Sequence, residues 1–214
     1  MKNNNTTIIT IATILTISSC SKEDPKKPII TNPQEVLTTI LIKGYNQNDS
    51  LNTNYQFAYK WEDLDGDGGN LPNIDTLILD SGIIYTCEII ILDKTKTPFD
   101  TVSNAIEEEK NSHQFFFAPN ANLTDKIKAE ILDFDTNIPS LPVGLSFNLN
   151  TKSNQSYALP LLGTLNIVLS HYDGVPKTIE KSSESDIDIN FFKSNVRLRY
   201  NAVPYNAVPY NAVP

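Results

Sequence analysis

Asn54-Tyr55-Gln56-Phe57-Ala58-Tyr59-Lys60-Trp61-Glu62 is the stretch on which the fold turns. Tyr55, Phe57, Tyr59 and Trp61 take alternate positions, and Gln56, Ala58, Lys60 and Glu62 take those between. A period of two puts the aromatic rings on one face of an extended strand and leaves the other face mostly wet. Runs rich in Ile, Val, Leu, Tyr and Phe, bounded by Gly, Pro, Asn and Asp, recur at 36–43, 75–79, 83–93, 114–118, 127–134, 145–149, 165–170 and 186–191. Nine such runs predict an all-β fold, a two-sheet antiparallel β-sandwich of immunoglobulin-like general architecture. One segment departs from the pattern. In Asp100 to Asn111, a capping aspartate, Val102 and Ile106 four apart, and strong helix formers predict one short surface helix. Its Glu107-Glu108-Glu109 run reads as a solvated face, because consecutive helical side chains point in different directions and cannot converge on one atom.

The N-terminus predicts where the chain goes. Lys2 supplies a positive start, and Ile8 to Ile17 is an apolar stretch of signal-peptide length, too short to span a bilayer. Ile17-Ser18-Ser19-Cys20 follows and resembles the lipobox of bacterial lipoproteins, in which the cysteine takes diacylglycerol and becomes the first mature residue. Ser21-Lys22-Glu23-Asp24 resembles the surface-export signal of Bacteroidota-type lipoproteins. The expected location is the outer membrane, lipid-anchored through Cys20 and facing the medium, with the periplasmic face as the alternative. The expected organisation is a signal peptide over 1–19, a lipidated tether over 20–35 with three prolines and no periodicity, a sandwich over 36–192 and a disordered tail over 193–214. Residues 200–214 are three copies of Tyr-Asn-Ala-Val-Pro, whose regular prolines forbid a helix interior or a central strand. Upstream of them lie the only two arginines, Arg197 and Arg199, and the change of composition places the end of the domain near Phe192.

With 25 acidic against 17 basic residues the chain carries a net charge of −8, and loss of Lys2 with the signal makes it −9. Such a balance argues against nucleic acid as a partner and suits cations. Of the two cysteines, Cys20 is assigned to lipid, so Cys87 has no intramolecular partner. Cys87 alternates with Tyr85, Ile89 and Ile91 and reads as a small core residue.

Asp63-Leu64-Asp65-Gly66-Asp67-Gly68-Gly69-Asn70 is the chemically suggestive motif. Acids at alternate positions followed by glycines let a tight loop wrap several hard oxygens around calcium, so Asp63, Asp65 and Asp67 are the candidate ligands. The opening matches an EF-hand loop, but Ile74 stands where that loop needs a bidentate glutamate. A second acidic turn at Asp133 and Asp135 reads first as a polar turn, and as an addition to that oxygen shell only if the two turns lie together. His113 and His171 read as residues that cap or fill strand ends, with no zinc-binding, nucleophile-elbow or phosphate-loop motif beside them.

The chain resembles a family of Bacteroidota surface lipoproteins that carries no established activity. The resemblance rests on Trp61 to Gly69, Ile106 to Glu109, His113 to Phe116, Asp133 to Asp135, Pro142 to Leu145, Thr164-Leu165 with His171, and Asp186 to Asp188. Similar proteins are sometimes labelled type 1 periplasmic-binding-fold members, which implies two α/β lobes. The short chain, the single helical segment and the period-two alternation oppose that architecture. The expected function is a non-catalytic envelope module that binds a glycan or protein ligand on a rigid sandwich, with calcium stiffening one loop. The alternative is a hydrolase of extracellular glycans using paired acids such as Asp65 and Asp133, which requires both carboxylates in one cleft at glycosidase separation.

Overall fold

Alternating apolar residues fold Thr39–Asn46 (β1), Phe57–Glu62 (β2) and Ile84–Asp93 (β5) into adjacent antiparallel strands. The computed structural model describes residues 36–66, 69–153, 159–172, 174–181 and 186–199. Within them, Asn73–Ile74 (β3), Asp100–Thr101 (β6), Ile127–Ile131 (β8) and Ser146–Thr151 (β9) complete one sheet. Its order is β3-β2-β1-β5-β9-β8, with β6 paired to β5. The second sheet runs Thr76–Asp80 (β4), Asp186–Arg199 (β11), Leu161–His171 (β10) and His113–Pro119 (β7), in that order. The all-β sandwich is therefore the fold, and the two-lobed α/β architecture is not.

Register decides which residues meet. Ile40, Ile42, Tyr59, Tyr85, Ile89, Ile91, Phe147 and Leu149 line the inner face of the larger sheet, and Leu77, Leu79, Phe115, Leu165, Ile167, Leu169, Val196 and Leu198 line the smaller one. Phe117 and Phe147 touch across the gap with ring centroids 4.4 Å apart. Gly44 sits between Phe57 and Cys87 in the register, and a Cβ there would come within 2.4 Å of the Phe57 ring. Its bare backbone lets that ring cross β1 and meet Tyr85 edge-on at 5.5 Å.

Two details depart from the sequence reading. Tyr55 is buried but belongs to a 3₁₀ turn, Thr53–Tyr55, so the aromatic strand begins at Phe57. The helix is Val102–Glu108 (α1), with Thr101 at its N-cap making no side-chain cap bond, while Asp100 pairs with Asp93 in β6 and does not cap. Val102 and Ile106 are buried and hold α1 to the core.

The largest correction concerns the domain end. β11 continues to Arg199, between β10 and β4, so the domain does not stop at Phe192. Its pairing with β4 is parallel, unlike the other paired strands of either sheet. Val196 and Leu198 are buried, Ser81 N–H donates to the Arg199 carbonyl at 2.9 Å, and the Arg199 guanidinium grips Asp80 at 2.7 and 3.1 Å. Residues 200–214, like 1–35, lie outside the described residues.

Candidate functional site

The acidic loop leaves the end of β2. There the Glu62 carboxylate is clasped by Lys94 at 2.5 Å and Lys60 at 3.1 Å, and these two ammonium groups hold its pKa down at about 2. Beyond it, Asp63 accepts the Gly66 N–H at 2.8 Å, and Asp65 accepts the Asn70 N–H at 2.9 Å and its side-chain amide at 2.6 Å. The bonds from Asn70 keep the Asp65 carboxyl below the ordinary carboxylate range. Gly66 has φ +72°, and a Cβ on Gly69 would fall 2.4 Å from Asp65 Cγ, so both glycines are dictated by the turn. Two candidate calcium ligands, Asp63 and Asp65, thus share one tight loop. The third, Asp67, lies outside the described residues.

Asp133 and Asp135 do something else. Asp133 accepts the N–H groups of Gly144 and Leu145 at 2.8 and 3.0 Å, and Asp135 accepts those of Leu141 and Asn137 at 2.7 and 3.1 Å. The two carboxylates staple the β8–β9 connection shut. Asp135 also meets Lys177 at 3.1 Å, with 1% of the lysine side chain and none of the aspartate side chain exposed. Burial pulls the Lys177 pKa down against the pull of Asp135. Burial pushes the Asp135 carboxyl up, yet the Leu141 amide, Lys177 and Asn137 outweigh it and leave it lowered. Lys177 further donates to the Lys110 carbonyl at 3.0 Å, so this buried pair straps the 174–181 segment over the turn after α1.

The strands carrying the two acidic turns end on the same side of the sandwich, but β2 and β8 are four strand spacings apart, about 19 Å. Asp133 and Asp135 therefore do not join the oxygen shell of Asp63 and Asp65. Asp65 and Asp133 likewise fail the separation of roughly 5 to 9.5 Å that a glycosidase acid pair needs.

Sequence reasoning missed one convergence. Glu109, at the C-cap of α1, brings a carboxylate oxygen within 4.8 Å of ring nitrogens of both His113 and His171. The pairing of β7 with β10 sets the two histidines opposite each other. Both are buried, and their rings stack at 4.7 Å with 21° between planes. His113 Nδ1 lies 3.1 Å from the Glu109 carbonyl, an acceptor, so that nitrogen carries the proton. Two imidazoles and a carboxylate are zinc-type donors, but lone pairs lie in the ring planes, and near-parallel stacked rings aim them side by side. One ring must turn before both address a single ion. As they stand, the histidines fill strand ends. Glu107, by contrast, is exposed and pairs with Lys110 at 3.0 Å, as a solvated face requires.

An open groove of about 990 Å³ lies on the larger sheet, lined among others by Lys43, Tyr45, Gln56, Thr86, Glu88 and Ser146. Strand alternation turns Lys43, Tyr45, Ala58, Thr86, Glu88 and Ser146 away from the core face that holds Ile42, Tyr59 and Tyr85. Lys43 and Glu88 are opposite in register, so the groove carries one charge of each sign. Tyr45 is 41% exposed, a large ring standing in a polar surround. Cys87 borders the same groove but is buried, and burial pushes its thiol up to about 12, which leaves it inert near neutral pH. Comparison of the chain with known protein families, with curated proteins and with solved structures finds no match.

Proposed function

We propose that this protein is a lipid-anchored envelope component whose sandwich is a non-catalytic binding module for an extended polar ligand of the glycan class. The observation that carries the reading is the open groove on the outer face of the larger sheet. It combines hydroxyl and amide side chains, one cation, one anion and the exposed Tyr45 ring. Sugars offer many hydroxyl groups and apolar C–H faces, and a polar groove with one aromatic platform answers both. A strand-built floor needs little ordering on binding. The lipobox-like Ile17 to Cys20 supports the anchor, and the charges after it support display toward the medium. Calcium in the Asp63–Asn70 loop serves in this reading to stiffen the connection from β2 to β3.

The test is calorimetric titration of a panel of neutral and acidic polysaccharides into the full chain and into Tyr45→Ala. At least one polysaccharide should bind, and at least tenfold more weakly to the variant, with the melting temperature unchanged. A panel without a binder, or binding indifferent to Tyr45, refutes the module. Anchoring is tested separately. Cys20→Ala should abolish incorporation of a fatty-acid analogue, and persistent labelling refutes it.

A further inference from the structure

Among the described residues, Tyr45, Leu51, Ile84 and Leu162 are the large apolar side chains exposed toward one end of the sandwich, and four others stand on connections of the larger sheet at the opposite end. Leu64 follows β2, Phe99 sits in the turn between β5 and β6, and Phe134 and Ile138 lie in the connection from β8 to β9. Antiparallel register carries these connections to the same end of the sandwich, because Glu62 of β2 pairs with Thr39, Thr39 with Leu92, and Ser146, at the start of β9, with Glu88 of β5. Their exposures are 60% for Leu64, 61% for Phe99, 51% for Phe134 and 99% for Ile138. The chain also enters the domain at this end, through Val36 just ahead of β1.

We propose that this end of the sandwich docks on a lipid bilayer of net-neutral headgroups, with Leu64, Phe99, Phe134 and Ile138 inserted as separate apolar tips. A protein partner would need a contiguous apolar patch, whereas these tips sit on three connections spread over four strand spacings, about 19 Å. A fluid apolar phase accepts each tip independently. Charge selects the headgroup. Asp63, Asp65 and Glu108 lie at the same end, where Asp100 pairs with Lys96 and Glu107 with Lys110, in a chain of net charge −8, which disfavours an anionic surface. The proposal draws on the proposed Cys20 anchor for delivery to the membrane. Even fully extended, the segment from Cys20 to Val36 spans only about 55 Å, which keeps the domain beside the bilayer.

The experiment uses the full chain, produced in a host that processes lipoproteins and mixed with phosphatidylcholine vesicles at millimolar lipid. At that concentration the protein meets the bilayer whether or not it is anchored. Nitroxide labels are placed by Ile138→Cys and Phe99→Cys, and by Leu51→Cys at the opposite end as the aqueous reference. Cys87 is buried, so uptake of label by the wild-type chain would report an unmodified Cys20 and overturn the anchor reading alone. The collision rate with oxygen relative to a water-soluble nickel chelate should be at least fivefold higher at 138 and 99 than at 51. Equal ratios at all three positions overturn the docking, whatever the state of Cys20. Replacing half the phosphatidylcholine with phosphatidylglycerol should lower the ratio at 138 about twofold, and a rise would overturn the neutral-headgroup assignment.

Discussion

Cutting the chain after Phe192 removes the second half of β11, the strand that lies between β10 and β4. The loss can be built up from its parts. Val196 and Leu198, both buried, give up about 1.5 to 3 kcal/mol each in burial. The parallel ladder to β4 contributes about 1 kcal/mol net per hydrogen bond. The buried Asp80 carboxylate loses Arg199, and β4 becomes detached from β11, its only partner strand among the described residues. Together these approach the roughly 5 to 15 kcal/mol that separates a folded domain from its unfolded chain. A chain ending at Phe192 should therefore show no cooperative transition in urea by circular dichroism, while one ending at Arg199 should keep the midpoint of the full chain. Leu198→Ala gives the graded version. Losing about 3 kcal/mol, it should lower the melting temperature by about 10 °C. A chain ending at Phe192 that melts with the full chain would refute the placement of β11 and restore the tail as an appendage.

Three further outcomes follow from the acidic turns. Lys177→Met should cost about 3 kcal/mol in urea denaturation, because it strands a buried carboxylate, and adding Asp135→Asn should recover much of that loss. Asp135 has a folded pKa below its unfolded value, so its contribution is fully present above about pH 4 and is lost as pH falls through the lowered value. Melting temperature against pH should accordingly decline less steeply below pH 4 in Asp135→Asn than in the wild type, and parallel declines would contradict that linkage. In the other loop, millimolar calcium should raise the wild-type melting temperature and leave Asp65→Ala unmoved, with affinity in the extracellular range of about 0.1 to 1 mM. An equal shift in both proteins would leave Asp63 to Asn70 as a turn held by its own hydrogen bonds, from Gly66 to Asp63 and from Asn70 to Asp65.

The sequence by itself determined the class of fold, because alternation in runs such as Phe57 to Trp61 can be satisfied only by strands with one buried face. It also determined the helix α1, through the spacing of Val102 and Ile106, and the inert setting of Cys87 among Tyr85, Ile89 and Ile91. The extent of β11 was legible in principle, since Asn195-Val196-Arg197-Leu198-Arg199 alternates polar and apolar residues. The adjoining repeats and arginines obscured it by suggesting a change of composition. Tertiary structure alone decided the rest. Local sequence cannot say that Asp133 and Asp135 staple one connection while Asp63 and Asp65 shape another about 19 Å away, because that distance is set by strand order. Nor can it say that His113, His171 and Glu109 converge, that Lys177 reaches Asp135 or that β4 and β11 run parallel. Each of these needs a pairing between residues far apart in the chain, fixed by the register in which the sheets close and by the burial that register imposes.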